Sequence, residues 1–299
     1  MYVVIGASGN TGHVAAKTLL SRGHKVRAVA RTAARLQALT SQGAEAFPCD
    51  ITNTDQLTQA FKGAEAAYVM IPPNITSNDV LLSQERVGNS IATAISKAGV
   101  PFVVSLSSIG ADKATGTGPV VGLHNLEQKL NGIDSVNVLH LRAGYFMENT
   151  LGQAGAIRSM GTTAGPVRPD LKLPMIATRD IGAVAAEALL QLDFKGKQTR
   201  ELLGQRDLDY REVAVIIGKA IGKPDLGYVQ APDEQFRAVL IQMGMSQNMA
   251  NLLLEMSKAL NSGYMRALEP RNSKNTTLTS YEKFVDEVFL PVYKQQTAA

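Results

Sequence analysis

The residues best suited to chemistry form a glycine-rich segment near the N-terminus, Gly6-Ala-Ser-Gly-Asn-Thr-Gly12. The segment directly follows a short apolar run and opens a stretch of helical periodicity, which is the context a phosphate-binding turn requires. Gly6 permits a tight turn, Gly9 lets the backbone approach a pyrophosphate, and Gly12 lets the helix pack closely on the strand. Three polar side chains would add hydrogen bonds: Ser8, Asn10 and Thr11. The segment predicts a dinucleotide site, and the alternative is an ordinary glycine-rich turn.

The end of the second predicted strand indicates which dinucleotide is bound. In NAD sites an acidic residue about 20 positions after the glycines accepts the ribose 2′-OH. Here the strand at 25–30 leads into Arg31, Arg35 follows one helical turn later, and no acidic residue precedes Glu45. Guanidinium groups suit a 2′-phosphate by charge and by bidentate geometry, so we expect NADPH to be preferred over NADH. The alternative is that both arginines are solvated surface residues.

A candidate proton donor is less evident. Short-chain dehydrogenases typically place a tyrosine four residues before a lysine on a helix, and the lysine lowers the tyrosine pKa. The helix predicted near 122–131 has no tyrosine, and His124 is its residue best suited to acid–base work near neutral pH. The alternative is that His124 caps or packs beside the glycine- and threonine-rich loop at 114–118. Neither metal-ligand spacing nor a Gly-x-Ser-x-Gly nucleophile motif occurs in the sequence.

The composition narrows the class of protein. Of 299 residues, 45% are hydrophobic and 19% are charged, which is enough apolar material for a sizeable core. Lys and Arg number 30 against 26 Asp and Glu, but the excess lies before Glu45, so the chain lacks the dense basic surface of a nucleic-acid binder. The single cysteine, Cys49, allows no internal disulfide. With neither a membrane-length apolar run nor a signal peptide, we expect a cytoplasmic protein without membrane contact.

The elements that position these residues alternate regularly through the first half of the chain. Predicted strands lie at 2–5, 25–30, 44–48, 66–71, 101–106 and 136–142, with helices between them. This alternation predicts an α/β protein with a Rossmann-type, doubly wound parallel sheet. A strand, helix and strand at 172–177, 179–190 and 199–204 would return to the main sheet. We predict an NADP-binding domain at 1–148 and 176–205, and a smaller, mostly helical substrate or partner-binding region at 149–175 and 206–299.

Several segments, in this order, resemble the NmrA-like family of atypical short-chain dehydrogenase/reductases over nearly the whole chain. Besides the glycine segment they are Val29-Ala-Arg31, Cys49-Asp-Ile-Thr52, Ile71-Pro-Pro73, Ser105-Leu-Ser-Ser-Ile-Gly110, Leu141-Arg-Ala-Gly-Tyr-Phe-Met-Glu-Asn149 and Ala177-Thr-Arg-Asp-Ile-Gly182. The resemblance implies a Rossmann domain that binds NADP(H). It also implies one of two functions: reduction of quinones, azo dyes or related electrophiles, or redox sensing through a protein partner. The absence of a Tyr/Lys pair is common in that family, whereas Ala143 stands where relatives usually have proline.

The resemblance also implies cofactor contacts residue by residue. The pyrophosphate would lie against six residues of the glycine segment: Gly6, Ser8, Gly9, Asn10, Thr11 and Gly12. Arg31 would bind the 2′-phosphate, and Asp50 and Ile51 would border the adenine. Three residues would cover the cofactor: Ile71, Pro72 and Pro73. Five would lie near the nicotinamide, namely Ser105, Ser107, Gly144, Tyr145 and Phe146. The alternative for the last three is that they are ordinary turn and packing residues.

Methionines are concentrated in the second half of the chain. Five of the ten lie between 243 and 265: Met243, Met245, Met249, Met256 and Met265. Methionine adapts to irregular apolar shapes, so this stripe belongs either to a core or to a pocket for a flat apolar substrate. The sequence as a whole predicts an NADPH-dependent oxidoreductase acting on a quinone-like, azo or other conjugated acceptor. The alternative is a non-catalytic NADP(H)-binding sensor.

Overall fold

The computed structural model describes residues 1–295, and a seven-stranded sheet forms its centre. The strands are β1 (Tyr2–Ile5), β2 (Val26–Ala30), β3 (Glu45–Pro48), β4 (Ala66–Val69), β5 (Phe102–Ser108), β6 (Asn137–Ala143) and β10 (Lys197–Leu202). Their spatial order is β10-β6-β5-β4-β1-β2-β3, and every neighbouring pair is parallel. The strand order reverses between β1 and β4, as in doubly wound sheets. The predicted fold class is confirmed.

Helices cover both faces of this sheet. They are α1 (Asn10–Ser21), α2 (Gln37–Thr40), α3 (Thr54–Phe61), α4 (Val80–Ala98), α5 (Val120–Asn131) and α7 (Thr178–Gln191), with a short 3₁₀ turn at Ala33–Leu36. α1 and α7 pack on one face and α3, α4 and α5 on the other, each over its own apolar cluster. Buried residues follow helical spacing in α4, where Asp79 caps the first turn and Gly99 ends the helix in the left-handed conformation.

The remaining segments build a second layer beside the carboxyl ends of the strands. Its strands are β7 (Tyr145–Phe146), β8 (Thr163–Gly165), β9 (Leu173–Ile176), β11 (Asp207–Leu208) and β12 (Tyr228–Gln230). Its helices are α6 (Gln153–Met160), α8 (Tyr210–Ile221), α9 (Asp233–Gln242), α10 (Gln247–Asn261), α11 (Tyr281–Phe284) and α12 (Leu290–Gln295). A 3₁₀ turn at Met147–Gly152 precedes α6, and a π-helical turn at Val285–Phe289 joins α11 to α12. The predicted division into two domains stays a prediction.

One strand lies elsewhere than the sequence predicted. The segment at 172–177 was expected to return to the main sheet, but β9 pairs with β7 and β11 in a separate three-stranded sheet. The reason is that β10 occupies the free edge of β6, with partners from Val138 to Ala143. The chain leaves the main sheet at Gly144, where a Cβ atom would lie 2.3 Å from the carbonyl oxygen of Pro174. The predictions that α7 and β10 return to the sheet are confirmed. Within residues 1–295 no helix has both the length and the apolar character needed to cross a membrane.

Candidate functional site

The glycine turn has the geometry that its sequence predicts. Gly6 has φ of +68°, in the left-handed region that favours glycine. A Cβ atom at Gly12 would lie 2.4 Å from the carbonyl oxygen of Gly6, so no side chain fits there without moving backbone. The turn is closed by a 2.9 Å hydrogen bond that the Gly9 N–H donates to the Gly6 carbonyl. Gly6 and Gly12 are therefore needed for the turn itself and for the approach of α1 to it.

The N-terminus of α1 fits a phosphate group. Gly9 precedes the helix without any side-chain cap, and the first turn holds no acidic residue. The leading N–H groups of a helix have no partner within the helix and carry the positive end of its dipole. A cavity of about 400 Å³ lies in front of them, lined by Ser8, Gly9 and Asn10 on one side and by Glu148, Thr178 and Arg179 on the other.

Thr11 differs from Ser8 and Asn10 of the glycine segment in the direction of its side chain. Its side chain is turned into the core, with the residue only 6% exposed, and its Oγ1 accepts a 2.8 Å hydrogen bond from the Tyr68 hydroxyl. Thr11 does not line the cavity in front of α1. The backbone N–H of Thr11, in the first turn of α1, is therefore the group of this residue best placed to bind a phosphate.

Arg31 and Arg35 lie at the carboxyl end of β2, and both are exposed. In the part of the chain that the structure describes, neither guanidinium forms an ion pair or a hydrogen bond. Arg27, in the same strand, instead binds Glu45 at 2.9 Å and backbone carbonyls of α3. The position and free guanidinium groups of Arg31 and Arg35 fit the predicted 2′-phosphate contact, which remains a prediction.

Asp50 and Ile51 follow β3, beside the end of β2. The Asp50 carboxylate accepts hydrogen bonds from the Thr52 N–H at 2.9 Å and the Thr52 hydroxyl at 2.8 Å. These bonds hold the pKa of Asp50 below its ordinary value. Asp50 is thus a charged, exposed group in a fixed turn, and Ile51 is half-buried next to it. Their proposed contact with adenine stays a prediction.

A larger cavity of about 710 Å³ opens at the carboxyl ends of β4, β5 and β6. Four of the five residues predicted near the nicotinamide lie on its wall: Ser107, Gly144, Tyr145 and Phe146. Two of the three residues predicted to cover the cofactor, Ile71 and Pro73, also line it. Four of the five clustered methionines line it as well, namely Met245, Met249, Met256 and Met265, whereas Met243 is 58% exposed outside it. The methionine stripe therefore contributes mainly to a pocket. Met70, which lies against Gly6, also lines this cavity and connects it to the glycine turn.

Three residues predicted at the nicotinamide end of the site, Ser105, Pro72 and His124, do not line the larger cavity. Ser105 is 1% exposed because it lies in the middle of β5, and its hydroxyl has no hydrogen-bond partner in the described part of the chain. Pro72 lies between two lining residues without lining the cavity itself. His124 Nδ1 lies 2.8 Å from the Ala111 carbonyl oxygen, so the ring donates a hydrogen bond that anchors the loop after β5. This arrangement agrees with the structural interpretation of His124 rather than the catalytic one.

Sequence reasoning missed two polar residues behind the wall of the larger cavity, Glu127 and Tyr210, each hydrogen-bonded to a residue of that wall. Ser107 donates a 2.5 Å hydrogen bond to Glu127, whose carboxylate also binds Arg142 through bonds of 3.0 and 2.6 Å. The Tyr210 hydroxyl donates to the Tyr145 hydroxyl at 2.9 Å, and burial raises the pKa of both phenols. The sequence did carry a signal for Glu127. It is a charged residue beside the apolar residues Leu126 and Leu130 on the buried face of α5.

The strand order and the glycine turn define a Rossmann-type fold, the class typical of dinucleotide-binding proteins. A family model matches residues 2–285, and the chain belongs to the NmrA-like family. Quinone oxidoreductase 2 of Escherichia coli (strain K12) is 28% identical over 260 residues, which span 85% of this chain and 86% of that protein.

Solved structures share the fold over almost the whole chain. The NADPH complex of the E. coli NADPH-dependent quinone oxidoreductase 2 has a TM-score of 0.81 at 24% identity, covering 97% of this chain and 100% of that one. Triphenylmethane reductase of Citrobacter sp., complexed with NADP(H), has a TM-score of 0.78 at 17% identity and 99% coverage of both chains. NmrA, a negative transcriptional regulator in complex with NADP, has a TM-score of 0.69 at 16% identity, covering 100% of this chain and 98% of that one.

Proposed function

We propose that this protein is an NADPH-dependent reductase that transfers hydride to an apolar, conjugated acceptor of the quinone or azo class. The observation that carries the proposal is the position of two features at one edge of the sheet. The glycine turn follows β1, and the large apolar cavity lies at the ends of β4, β5 and β6, with Met70 between them. Ligands of open α/β sheets bind at this edge, where the strand order reverses. Relatives that are reductases by name support the activity.

The chain offers suitable groups for each part of NADPH. The backbone N–H groups at the start of α1 would hold the diphosphate, together with Ser8 and Asn10, which line the adjoining cavity. Arg31, assisted by Arg35, would bind the 2′-phosphate. When bound, NADPH supplies the hydride, and the protein's part is to position it and to control its surroundings.

The large cavity suits a flat apolar acceptor. Its volume, about 710 Å³, is within the range usual for small-molecule sites. Methionine side chains are flexible and polarisable, so the four that line this wall would fit acceptors of different outlines. Apolar walls also exclude water from the reacting atoms, which strengthens the few polar interactions that remain.

Tyr145 takes the place of His124 as the candidate proton donor. It lines the cavity, whereas His124 does not. Because Tyr210 donates its proton to the Tyr145 oxygen, the proton of Tyr145 remains available to a reduced acceptor. Burial raises the pKa of Tyr145, which keeps the phenol protonated at neutral pH.

Stopped-flow measurement of NADPH oxidation against a panel of quinones, azo dyes and aldehydes tests the proposal. We expect flavin-independent turnover proportional to the amount of protein. Tyr145→Phe should lower kcat by roughly 100-fold at unchanged NADPH affinity, which is the lower end of the range for general acid catalysis. His124→Ala serves as the control and should retain its turnover, since the ring faces the Ala111 carbonyl.

A non-catalytic NADP(H) sensor is the second candidate. It is favoured by the absence of the Tyr/Lys pair in α5 and by the likeness to NmrA, a transcriptional regulator. In that case cofactor occupancy would shift the population of a surface that binds a protein partner. Tight NADP(H) binding without oxidation by any acceptor of the panel would favour the sensor over the reductase.

A further inference from the structure

Ser107, Glu127 and Arg142 form a hydrogen-bonded group beside the large cavity. Glu127 is 2% exposed and Ser107 is equally buried, yet Ser107 lies on the wall of the large cavity at the end of β5. The three side chains come from β5, α5 and β6. A buried carboxylate is retained only when charge and hydrogen bonds compensate its desolvation, and here Arg142 supplies both.

This group fixes the direction of the hydrogen bond at Ser107. Both oxygens of the Glu127 carboxylate accept N–H bonds from Arg142, so Glu127 acts as an acceptor toward Ser107 as well. A serine hydroxyl has a single proton, and that proton is committed to Glu127 at 2.5 Å. The Ser107 oxygen consequently presents only lone pairs to the cavity. A partner in the cavity must bring an N–H or an O–H.

The two molecules of the proposed reaction differ in this respect. An oxidised quinone, azo compound or conjugated carbonyl has no N–H or O–H in its reacting part, so an acceptor-only serine offers it nothing. The nicotinamide carboxamide carries an NH₂ group, which is a donor in both redox states of the cofactor. Resting on the proposed function, we infer that Ser107 binds the carboxamide NH₂ of NADP(H), and that Glu127 is the positioning residue that makes Ser107 an acceptor.

A cofactor analogue tests this inference by binding alone. In 3-acetylpyridine adenine dinucleotide phosphate a methyl group replaces the carboxamide NH₂ while the carbonyl is kept. We expect the wild-type protein to bind NADP⁺ roughly 3- to 10-fold more tightly than this analogue in calorimetric titrations, as one neutral hydrogen bond permits. In Ser107→Ala the two dissociation constants should become equal within about 2-fold. The control Ser90→Ala, an equally buried serine of α4 that lines neither cavity, should keep the wild-type ratio.

Glu127→Gln tests the positioning role. A glutamine amide can donate to Ser107 and release its proton toward the cavity, so the preference for NADP⁺ over the analogue should be lost, although the Ser107 oxygen is still present. If Glu127 serves only stability, the melting temperature of this variant falls and the ratio stays at its wild-type value. Should Glu127→Gln fail to fold, the Ser107→Ala comparison still decides the matter.

The outcomes separate the two proposals. NADP⁺ binding with the same ratio in wild type and Ser107→Ala would overturn the carboxamide contact and leave the reductase proposal standing. A failure of the wild-type protein to bind NADP⁺ would overturn both. Turnover with quinones has no part in the measurement, so a wrong guess about the acceptor does not affect it.

Discussion

The glycine turn and the methionine-lined cavity are built in different ways. The backbone forms the turn. Gly6 adopts a positive φ, and a Cβ atom at Gly12 would lie only 2.4 Å from the Gly6 carbonyl oxygen. Side chains form the cavity. Two of its methionines lie in α10, one lies just before that helix and one just after it. A backbone site tolerates no added atom, whereas a wall of flexible side chains can repack. We therefore expect a single substitution in the turn to abolish most of the cofactor affinity, and a single substitution in the cavity to change substrate binding only slightly.

The largest effect is expected at Gly12. Gly12→Ala places a Cβ atom on the Gly6 carbonyl oxygen, so α1 must move away from the turn that positions its N–H groups. We expect NADP⁺ affinity to fall by roughly 1,000-fold, equivalent to about 4 kcal/mol, measured by calorimetric titration. The control is Gly155→Ala in α6, where an added Cβ meets nothing within 4 Å. If Gly12→Ala bound NADP⁺ with wild-type affinity, the turn would not be the rigid backbone site described above.

The sheet region should also carry a pH dependence through His140. His140 is buried in β6, and desolvation lowers its pKa from 6.5 to about 4. The unfolded chain binds a proton at His140 more readily than the folded chain does. The free energy of unfolding therefore has its full value above about pH 6.5 and decreases as the pH falls toward 4. Over this pH interval the free energy of unfolding falls by about 3 kcal/mol.

Urea unfolding of wild type and His140→Gln at a series of pH values checks this expectation. The free energy of unfolding should fall more steeply below pH 6.5 in wild type than in the variant. Parallel curves for the two proteins would show that His140 is not the group responsible.

A smaller effect is expected for Arg31, where a side chain rather than backbone serves the cofactor. Arg31→Ala should weaken NADPH binding by roughly 30-fold, about 2 kcal/mol, as expected for a hydrogen bond between charged groups. NADH binding should not change, since NADH lacks the 2′-phosphate. Lys17→Ala removes one charge from the same N-terminal segment and should alter the NADPH affinity by less than about 2-fold. Equal losses in both variants would point to a diffuse charge effect.

The smallest effect is expected in the cavity. Met256→Leu conserves volume, so we expect stability to change by less than about 1.5 kcal/mol and the KM of a quinone acceptor to rise by roughly 3-fold. Met243→Leu, outside the cavity, should leave KM unchanged. A loss of activity as complete as that expected for Gly12→Ala would mean that the cavity, like the turn, has a rigid geometry.

Local sequence determined the fold class and the cofactor end of the site. The turn from β1 into α1, the alternation of strands and helices, and Arg31 after β2 depend on residues close together in the chain, where periodicity and glycine positions are decisive. The predicted family and fold class are confirmed on these features. The individual cofactor contacts stay predictions.

Only the tertiary structure decided the rest. β9 left the main sheet because β10 had taken the edge of β6, and this competition between distant segments is not visible in either sequence. The bond from Tyr210 to Tyr145 spans 65 positions, and that from Ser107 to Glu127 spans 20. His124 looked like an acid by residue type, yet a carbonyl 13 positions away holds its ring outside the cavity. Residue type sets what a side chain can do, but the partners brought by folding determine what it does.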